Sequence, residues 1–559
     1  MTHNKPIIYQ LFPRLFTNTC DHCVPNGSIK QNGTGKMNDI TAPVLNKLRN
    51  LGVTHVWYTG VIRHATKTHY RNIPDCNPYI VKGNAGSPYA ITDYYDIDPD
   101  IAVKTTHRIK EFEQLIKRTH EAGMKAIIDF VPNHVARQYH SITKPEGIKD
   151  LGENDDKNLA FSPNNNFYYM PDQQFAPGID LGQGDEFYYE KPAMATGNDC
   201  FHPYPGINDW YETVKLNYGV DYATGEKHFS PIPSTWQKMI DILLYWASKG
   251  IDGFRCDMAH MVPVEFWNWA LQIVKEEFPH VIFIAELYDT GLYGPYINEG
   301  HFDFLYDKVS LYDTLRAITC GIARADAITQ CWHAVEGMSH HMLNFLENHD
   351  EQRIASSQFA TDARKALPTL VVSATISRAA FMIYQGQELG EPANDAEGFS
   401  GQDGRTTIFD YWSIPSVRRW YNHGKCDTTK LTREERELRR YYKKILQLCN
   451  SEKAIACGEF YDLLYANRDT INCEKVYAYY RHYNGEHLLI LANFSDNEEH
   501  LNVYTPQHAF DIMHLTSGAY EACDLLTNNK IKLTINPHTP IELTIPKRNA
   551  MIIKLIKKT

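Results

Sequence analysis

From residue 7 to about residue 450, short apolar runs alternate with amphipathic stretches in one repeating order, and few folds accept that order. IIYQLF (7–12), VTHVWYTG (53–60), KAIIDFV (125–131), IDGFRCD (251–257) and VIFIAE (281–286) read as buried strands. Between and around them, residues 41–51, 108–122, 234–249 and 263–277 place apolar side chains at helical spacing, and Gly52, Gly123 and Gly250 stop three of them. Strand-then-helix repetition requires parallel strands joined by crossover helices. At this length it predicts an eight-stranded (β/α) barrel, the (β/α)8 TIM barrel.

Two stretches break the rhythm. Residues 135–210 are rich in Gly, Pro, Asn, Asp and aromatics with little periodicity, which marks an inserted loop-rich domain rather than a connection. It follows the third strand directly, so it is expected over the barrel mouth. After about residue 450, KVYAYYRHY (475–483), HLLILANFS (487–495) and AMIIKLIK (550–557) are strands parted by turns, with no helices between. The expected organisation is a barrel over 1–134 and 211–450, an inserted domain over 135–210, and an antiparallel β-sandwich over 451–559.

With 559 residues, the chain is long enough for two or three domains. Its net charge of −11 gives no reason to expect nucleic acid as a partner. The run after MTHNKP is too short for a signal-peptide core, and no segment reaches membrane-spanning length. The 12 cysteines are scattered, Cys256 falls within a core strand, and no disulfide framework emerges. A soluble, cytoplasmic protein with no membrane partner is the expectation. Cys20 and Cys23 form a C-x-x-C without a second pair, so a surface loop is expected there rather than a zinc site.

The chemistry lies where the strands stop. DFVPNH (129–134), GFRCD (253–257), IFIAE (282–286) and NFLENHD (344–350) deliver Asp257, Glu286 and Asp350, with His134, Arg255 and His349 around them. Apolar runs ending in carboxylates, Arg and His are what the C-terminal face of a parallel barrel displays. Several carboxylates converging there suit glycoside cleavage. Side chains alternate along a strand, so Arg255 and Asp257 share one face while Phe254 and Cys256 point toward the helices. The guanidinium can then hold Asp257 ionised and oriented, as a nucleophile requires. Glu286 follows an apolar strand and faces two other acids, which predicts a carboxyl that keeps its proton.

These four stretches resemble the four sequence regions of the α-amylase family, glycoside hydrolase family 13. SPYAITDYYDIDPD (87–100), MIYQGQELGE (382–391) and DGRTTIFDYW (403–412) are similar to further family segments. The resemblance implies catalysis by Asp257 as nucleophile, Glu286 as acid and base, and Asp350 as the third carboxylate. It implies substrate contacts from Tyr89, His134, Arg255 and His349. The implied activity is retaining hydrolysis of α-1,4 bonds in starch, glycogen or maltodextrins, with an α-glucan as partner and no cofactor. Transglycosylation, α-1,6 action or α-glucosidase action shares the same carboxylates. A non-catalytic binding subunit is disfavoured, because no carboxylate has been lost. The family's acceptor-side Lys-His pair is missing after Asp257, leaving His260 as a substitute, and Ala90 replaces the common Asp after the stacking tyrosine. Many relatives share a calcium ion between the Asn of the first region and an Asp closing the inserted domain. Here Asn133 is present, but the closing stretch reads Val214-Lys215-Leu216-Asn217. A lysine cannot ligate a cation, so no metal is expected there; its ammonium should instead donate to Asn133 and to inserted-domain oxygens.

Overall fold

The computed structural model describes residues 5–557. Residues 1–4 and 558–559, included in the spans above, lie outside the described residues. Eight parallel strands close a barrel in sequence order: β1 Ile7–Leu11, β2 His55–Tyr58, β3 Lys125–Phe130, β4 Gly253–Cys256, β5 Ile282–Ala285, β6 Phe304–Tyr306, β7 Met342–Phe345 and β8 Ala380–Tyr384. Helices Ala42–Leu51, Arg108–Glu121, Ser234–Ser248 and Val264–Glu277 fall where the periodicity placed them. Gly52 ends the first of these at φ +117, a left-handed conformation that side chains resist.

Period-two alternation separates two cores. Phe254 and Cys256 face outward into the cluster that packs strands against helices. Ile8, Trp57, Ile127, Ile284, Tyr306, Leu343, Phe345, Ala380 and Met382 turn inward and, with Tyr312, fill the barrel as a separate buried cluster. Two residues beyond Ile8, Trp57, Ile127 and Ile284, the same inward rows reach Gln10, Thr59, Asp129 and Glu286. The barrel is therefore apolar along its depth and polar at its C-terminal rim.

The excursion after β3 starts and ends in a two-stranded antiparallel pair, His134–Ala136 with Thr213–Lys215. That pair returns the chain to the barrel beside the rim. At the C-terminus, six antiparallel strands form one sheet in the order Glu459–Asp462, Val476–Tyr483, Glu486–Asn493, Asn549–Lys557, Gly518–Asp524, Asn529–Ile535. Glu499–Val503 and Ile541–Ile545 make a separate two-stranded sheet. The expectation of strands alone is corrected here: helices Leu464–Asn467 and Gln507–Met513 interrupt them. Among the described residues no helix is long and apolar enough to cross a membrane.

Candidate active site

The rim converges on Arg255. In register it faces Asp129 of β3 on one side and Ile284 of β5 on the other. Its side chain is fully buried. One Nη donates to Asp257 Oδ1 at 2.7 Å, the other pairs with Glu286 Oε2 at 2.7 Å, and Nε donates to the Tyr306 hydroxyl at 3.3 Å. Asp129 lies 3.7 Å away, and the rings of Trp57 and Tyr89 flank the guanidinium at 5.3 Å. One cation thus orients two carboxylates on adjacent strand ends, where the sequence had assigned it to Asp257 alone.

Glu286 is fixed by three contacts. Besides Arg255, the Met258 N–H donates to Oε2 at 2.8 Å and the Tyr288 hydroxyl to Oε1 at 2.6 Å. Met258 adopts φ +44, a left-handed conformation uncommon for such a side chain. Strain of this kind persists where the surroundings enforce it, and here it aims an N–H at an acid. Past β7, the Asn348 side chain accepts from the Asp350 and Glu351 N–H groups at 2.8 and 2.9 Å, shaping the turn that presents Asp350. His349 meets the Asp350 carboxylate at 3.1 Å, the Gln10 amide at 2.8 Å and the Tyr89 hydroxyl at 2.5 Å, and stacks on the Tyr89 ring with centroids 5.2 Å apart.

A cavity of about 330 Å³ opens above these groups, lined by Tyr89, His134, Asp257, Glu286 and Asp350. Five of the seven residues expected from sequence thus share one wall. Arg255 and His349, both buried, touch residues that line the cavity. The cavity also takes Lys82, Trp210, Glu212, Tyr288 and Phe409, which the sequence reading did not single out. Lys82 and Glu212 form a buried pair at 3.0 Å, and Trp210 packs on His134 with centroids 5.1 Å apart. Arg14, fully buried, donates to the carbonyls of Ala85, Gly86 and Ile408, tying the segment that carries Tyr89 to the one that carries Phe409.

Two of the missed residues carried a readable signal. Asp129 lies two positions past inward-facing Ile127 within the quoted DFVPNH, and Tyr288 two positions past Glu286. Trp210, Lys82 and Glu212 come from stretches without periodicity, and nothing local marks them.

The electrostatics follow from four acids around one guanidinium. Burial pushes the Asp257 carboxyl well above the usual carboxylate range and Arg255 pulls against this without cancelling it, so the expectation that the guanidinium keeps Asp257 ionised is corrected to one of orientation. Burial and the neighbouring Glu286 raise Asp350 to about 7, and burial raises Asp129 to about 6. A single cation cannot neutralise Asp257, Asp350 and Asp129 together, so these three retain protons toward neutral pH. Burial lowers His134 to about 3 and His349 further below its ordinary value, so both imidazoles are neutral hydrogen-bonding groups.

The residues at the family's calcium position do not fit a cation. Lys215, 2% exposed, donates to Asn133 Oδ1 at 2.6 Å and to the Met261 carbonyl at 3.3 Å, and pairs with Asp199 at 2.6 Å. An ammonium occupies the point where those oxygens converge. Among the described residues no group of three or more His, Cys, Asp or Glu side chains is arranged to hold a metal ion.

The family description of the α-amylase catalytic domain matches residues 10–455. Alpha-amylase 3 of Dictyoglomus thermophilum is 22% identical, over 82% of this chain and 83% of its own. A cyclomaltodextrinase of Thermoanaerobacter pseudethanolicus is 21% identical, over 88% of this chain and 71% of its own. Among solved structures, the maltogenic α-amylase AmyB of Thermotoga neapolitana superposes with TM-score 0.63 at 18% identity, covering 99% of both chains. An α-amylase of Geobacillus thermoleovorans, solved in complex with acarbose, does so with TM-score 0.63 at 17% identity over the whole of both. Barrel, rim chemistry and family match agree, and the chain belongs to the α-amylase family of glycoside hydrolases.

Proposed function

We propose that this enzyme hydrolyses α-1,4 bonds of maltodextrins, starch or glycogen with retention of configuration. The observation that carries the reading is the shared Arg255, which sets Asp257 and Glu286 side by side at the mouth of one cavity. Arg255 holds Asp257 Oδ1, leaving Oδ2 to attack the anomeric carbon. As that bond forms, the glycosidic C–O bond breaks and Glu286 gives its proton to the departing oxygen. Glu286 then takes a proton from water, the water oxygen bonds to the anomeric carbon, and Asp257 is released. Asp350 accepts from sugar hydroxyls and neutral His134 contributes a further hydrogen bond. Tyr89 offers its ring face, held by His349 behind it. Retention predicts that NMR of the first-formed product shows the α anomer. Initial release of the β anomer would contradict Asp257 as nucleophile.

The cavity volume, about 330 Å³, lies at the small end of ligand pockets, roughly 300–1,000 Å³. It favours short maltodextrins or chain ends over the interior of a long polymer. Relatives that include a cyclomaltodextrinase and a neopullulanase keep α-1,6 action or glycosyl transfer as the second reading. Product analysis across linear maltodextrins, pullulan, isomaltose and trehalose decides between them. The scattered placement of the 12 cysteines, Cys256 among them within a core strand, supports a reducing, cytoplasmic setting.

The coupled acids give a pH prediction. Activity on maltotriose should fall as pH drops and Asp257 takes a proton, and fall again as pH rises and Asp350 and Asp129 ionise around the guanidinium. Asp350→Asn removes a negative charge, which makes it easier for the remaining acids to ionise. The alkaline limb of the residual activity should therefore move to lower pH. An unmoved limb would separate Asp350 from the proton-holding set.

A further inference from the structure

The catalytic cavity is not the largest concavity of the molecule. A cavity of about 990 Å³ lies between helix Ala327–Ala334, on the barrel's outer ring, and the C-terminal domain. It shares no lining residue with the catalytic cavity. Its wall is built on aromatic rings. Trp332 and Phe460, both half-buried, lie with centroids 4.9 Å apart at 32°, one from the barrel and one from the C-terminal sheet. Tyr461 bonds through its hydroxyl to Tyr465 at 2.5 Å and to His508 Nδ1 at 3.0 Å, which fixes a second ring group. Within that group Tyr465 is 54% exposed, a large ring left open to solvent.

The polar lining is mixed in sign. Arg324 is matched by Asp326 and Glu474 at 2.8 Å each, and Asp462 is satisfied by the Thr329 and Tyr477 hydroxyls at 2.5 and 3.1 Å. Arg468 and Gln330 stand exposed at the edge. No excess of positive charge selects an anion, and no cluster of acids selects a cation. Partly exposed aromatic rings, Tyr465 among them held by a hydroxyl network, beside forked donors and acceptors, match a neutral, ring-shaped, polyhydroxylated ligand. Apolar faces of the ligand lie on the rings, and its hydroxyls take the fork geometry of Arg468 and the amide of Gln330.

We propose that this cavity is a second, non-catalytic carbohydrate site that holds a stretch of α-glucan while a neighbouring segment reaches the barrel mouth; the sugar class rests on the activity proposed above. Its value would be in multivalent capture of polymer, where a second contact raises the effective concentration of chain ends at the catalytic cavity.

The test uses the full chain on native gels containing glycogen, with kinetics on maltotriose and glycogen in parallel. Wild type should be retarded by glycogen. Tyr465→Ala/Arg468→Ala, at two exposed positions away from the catalytic cavity, should weaken that retardation about tenfold, as expected for losing one ring and one forked donor from a small site. KM on glycogen should rise, with kcat/KM on maltotriose unchanged. Retardation equal in wild type and variant, or none in wild type, overturns the site. If neither protein hydrolyses maltotriose yet only the variant loses retardation, the site stands and the proposed activity falls.

Discussion

Asp257→Asn and Glu286→Gln should each remove at least ~10²–10⁴-fold of turnover on maltoheptaose, the scale of losing one acid–base or nucleophilic group. The fold should survive both. In Asp257→Asn, buried Arg255 loses one carboxylate but keeps Glu286 at 2.7 Å and Asp129 at 3.7 Å, so its charge is not left alone. In Glu286→Gln, the amide oxygen can stay at the Oε2 position to accept from the Met258 N–H, while the NH2 at the Oε1 position donates to the Tyr288 hydroxyl oxygen, and Asp257 remains at 2.7 Å from Arg255. The loss should therefore appear in kcat, with circular dichroism and melting close to wild type. Initial rates of reducing-end release give the measurement. Near-wild-type hydrolysis by either variant would remove that residue from the mechanism. A collapse of the fold would instead show that the guanidinium needs every partner, and Asp257→Glu would then be the variant to compare.

The barrel was legible because burial on both sides makes a parallel strand a continuous apolar run, and the end of the run is visible as a change to Asp, Glu, Arg or His. That is why Asp257 and Glu286 could be read directly and Arg255 placed on the face of Asp257. Strand β6 escaped notice because only Phe304–Tyr306 pair there, too short a run to stand out. The inserted domain was opaque for a different reason. Its order comes from side chains capping backbone groups. Asp155 accepts from the Asn166 and Phe167 N–H groups at 2.8 and 3.0 Å, and Asn217 donates to the Ser162 and Asn165 carbonyls at 2.8 and 2.9 Å. Such contacts have no period along the chain, so Trp210 and Glu212 could not be aimed at the catalytic cavity from sequence. Arg255 could be placed, but its second carboxylate could not, since that depends on the register of β4 against β5.

Wild-type activity and melting temperature should be unaffected by exhaustive chelation, whereas Lys215→Asp should make stability depend on calcium. Lys215, in the strand that returns the chain to the barrel, joins the two parts: Asp199 lies in the inserted domain, Asn133 and the Met261 carbonyl on the barrel side. Burial lowers the Lys215 pKa and the Asp199 charge opposes that lowering. Removing the amine in Lys215→Met strands the Asn133 carbonyl oxygen and leaves Asp199 without its partner. Breaking a fully buried pair typically costs about 3–5 kcal/mol. Asp199 is 38% exposed and water can replace part of its contact, so about 1–3 kcal/mol is the better expectation here. Lys215→Asp does more, because it sets two carboxylates, the Asn133 amide oxygen and a backbone carbonyl around one point. Without a cation those carboxylates repel, and the variant should melt below Lys215→Met. With calcium, which takes oxygen ligands and completes its shell with water, melting should recover in proportion to the logarithm of its concentration. Wild type should show no such rise. A stoichiometric calcium bound through Asn133 in the wild-type enzyme, with activity lost on its removal, would overturn the assignment of this position to Lys215.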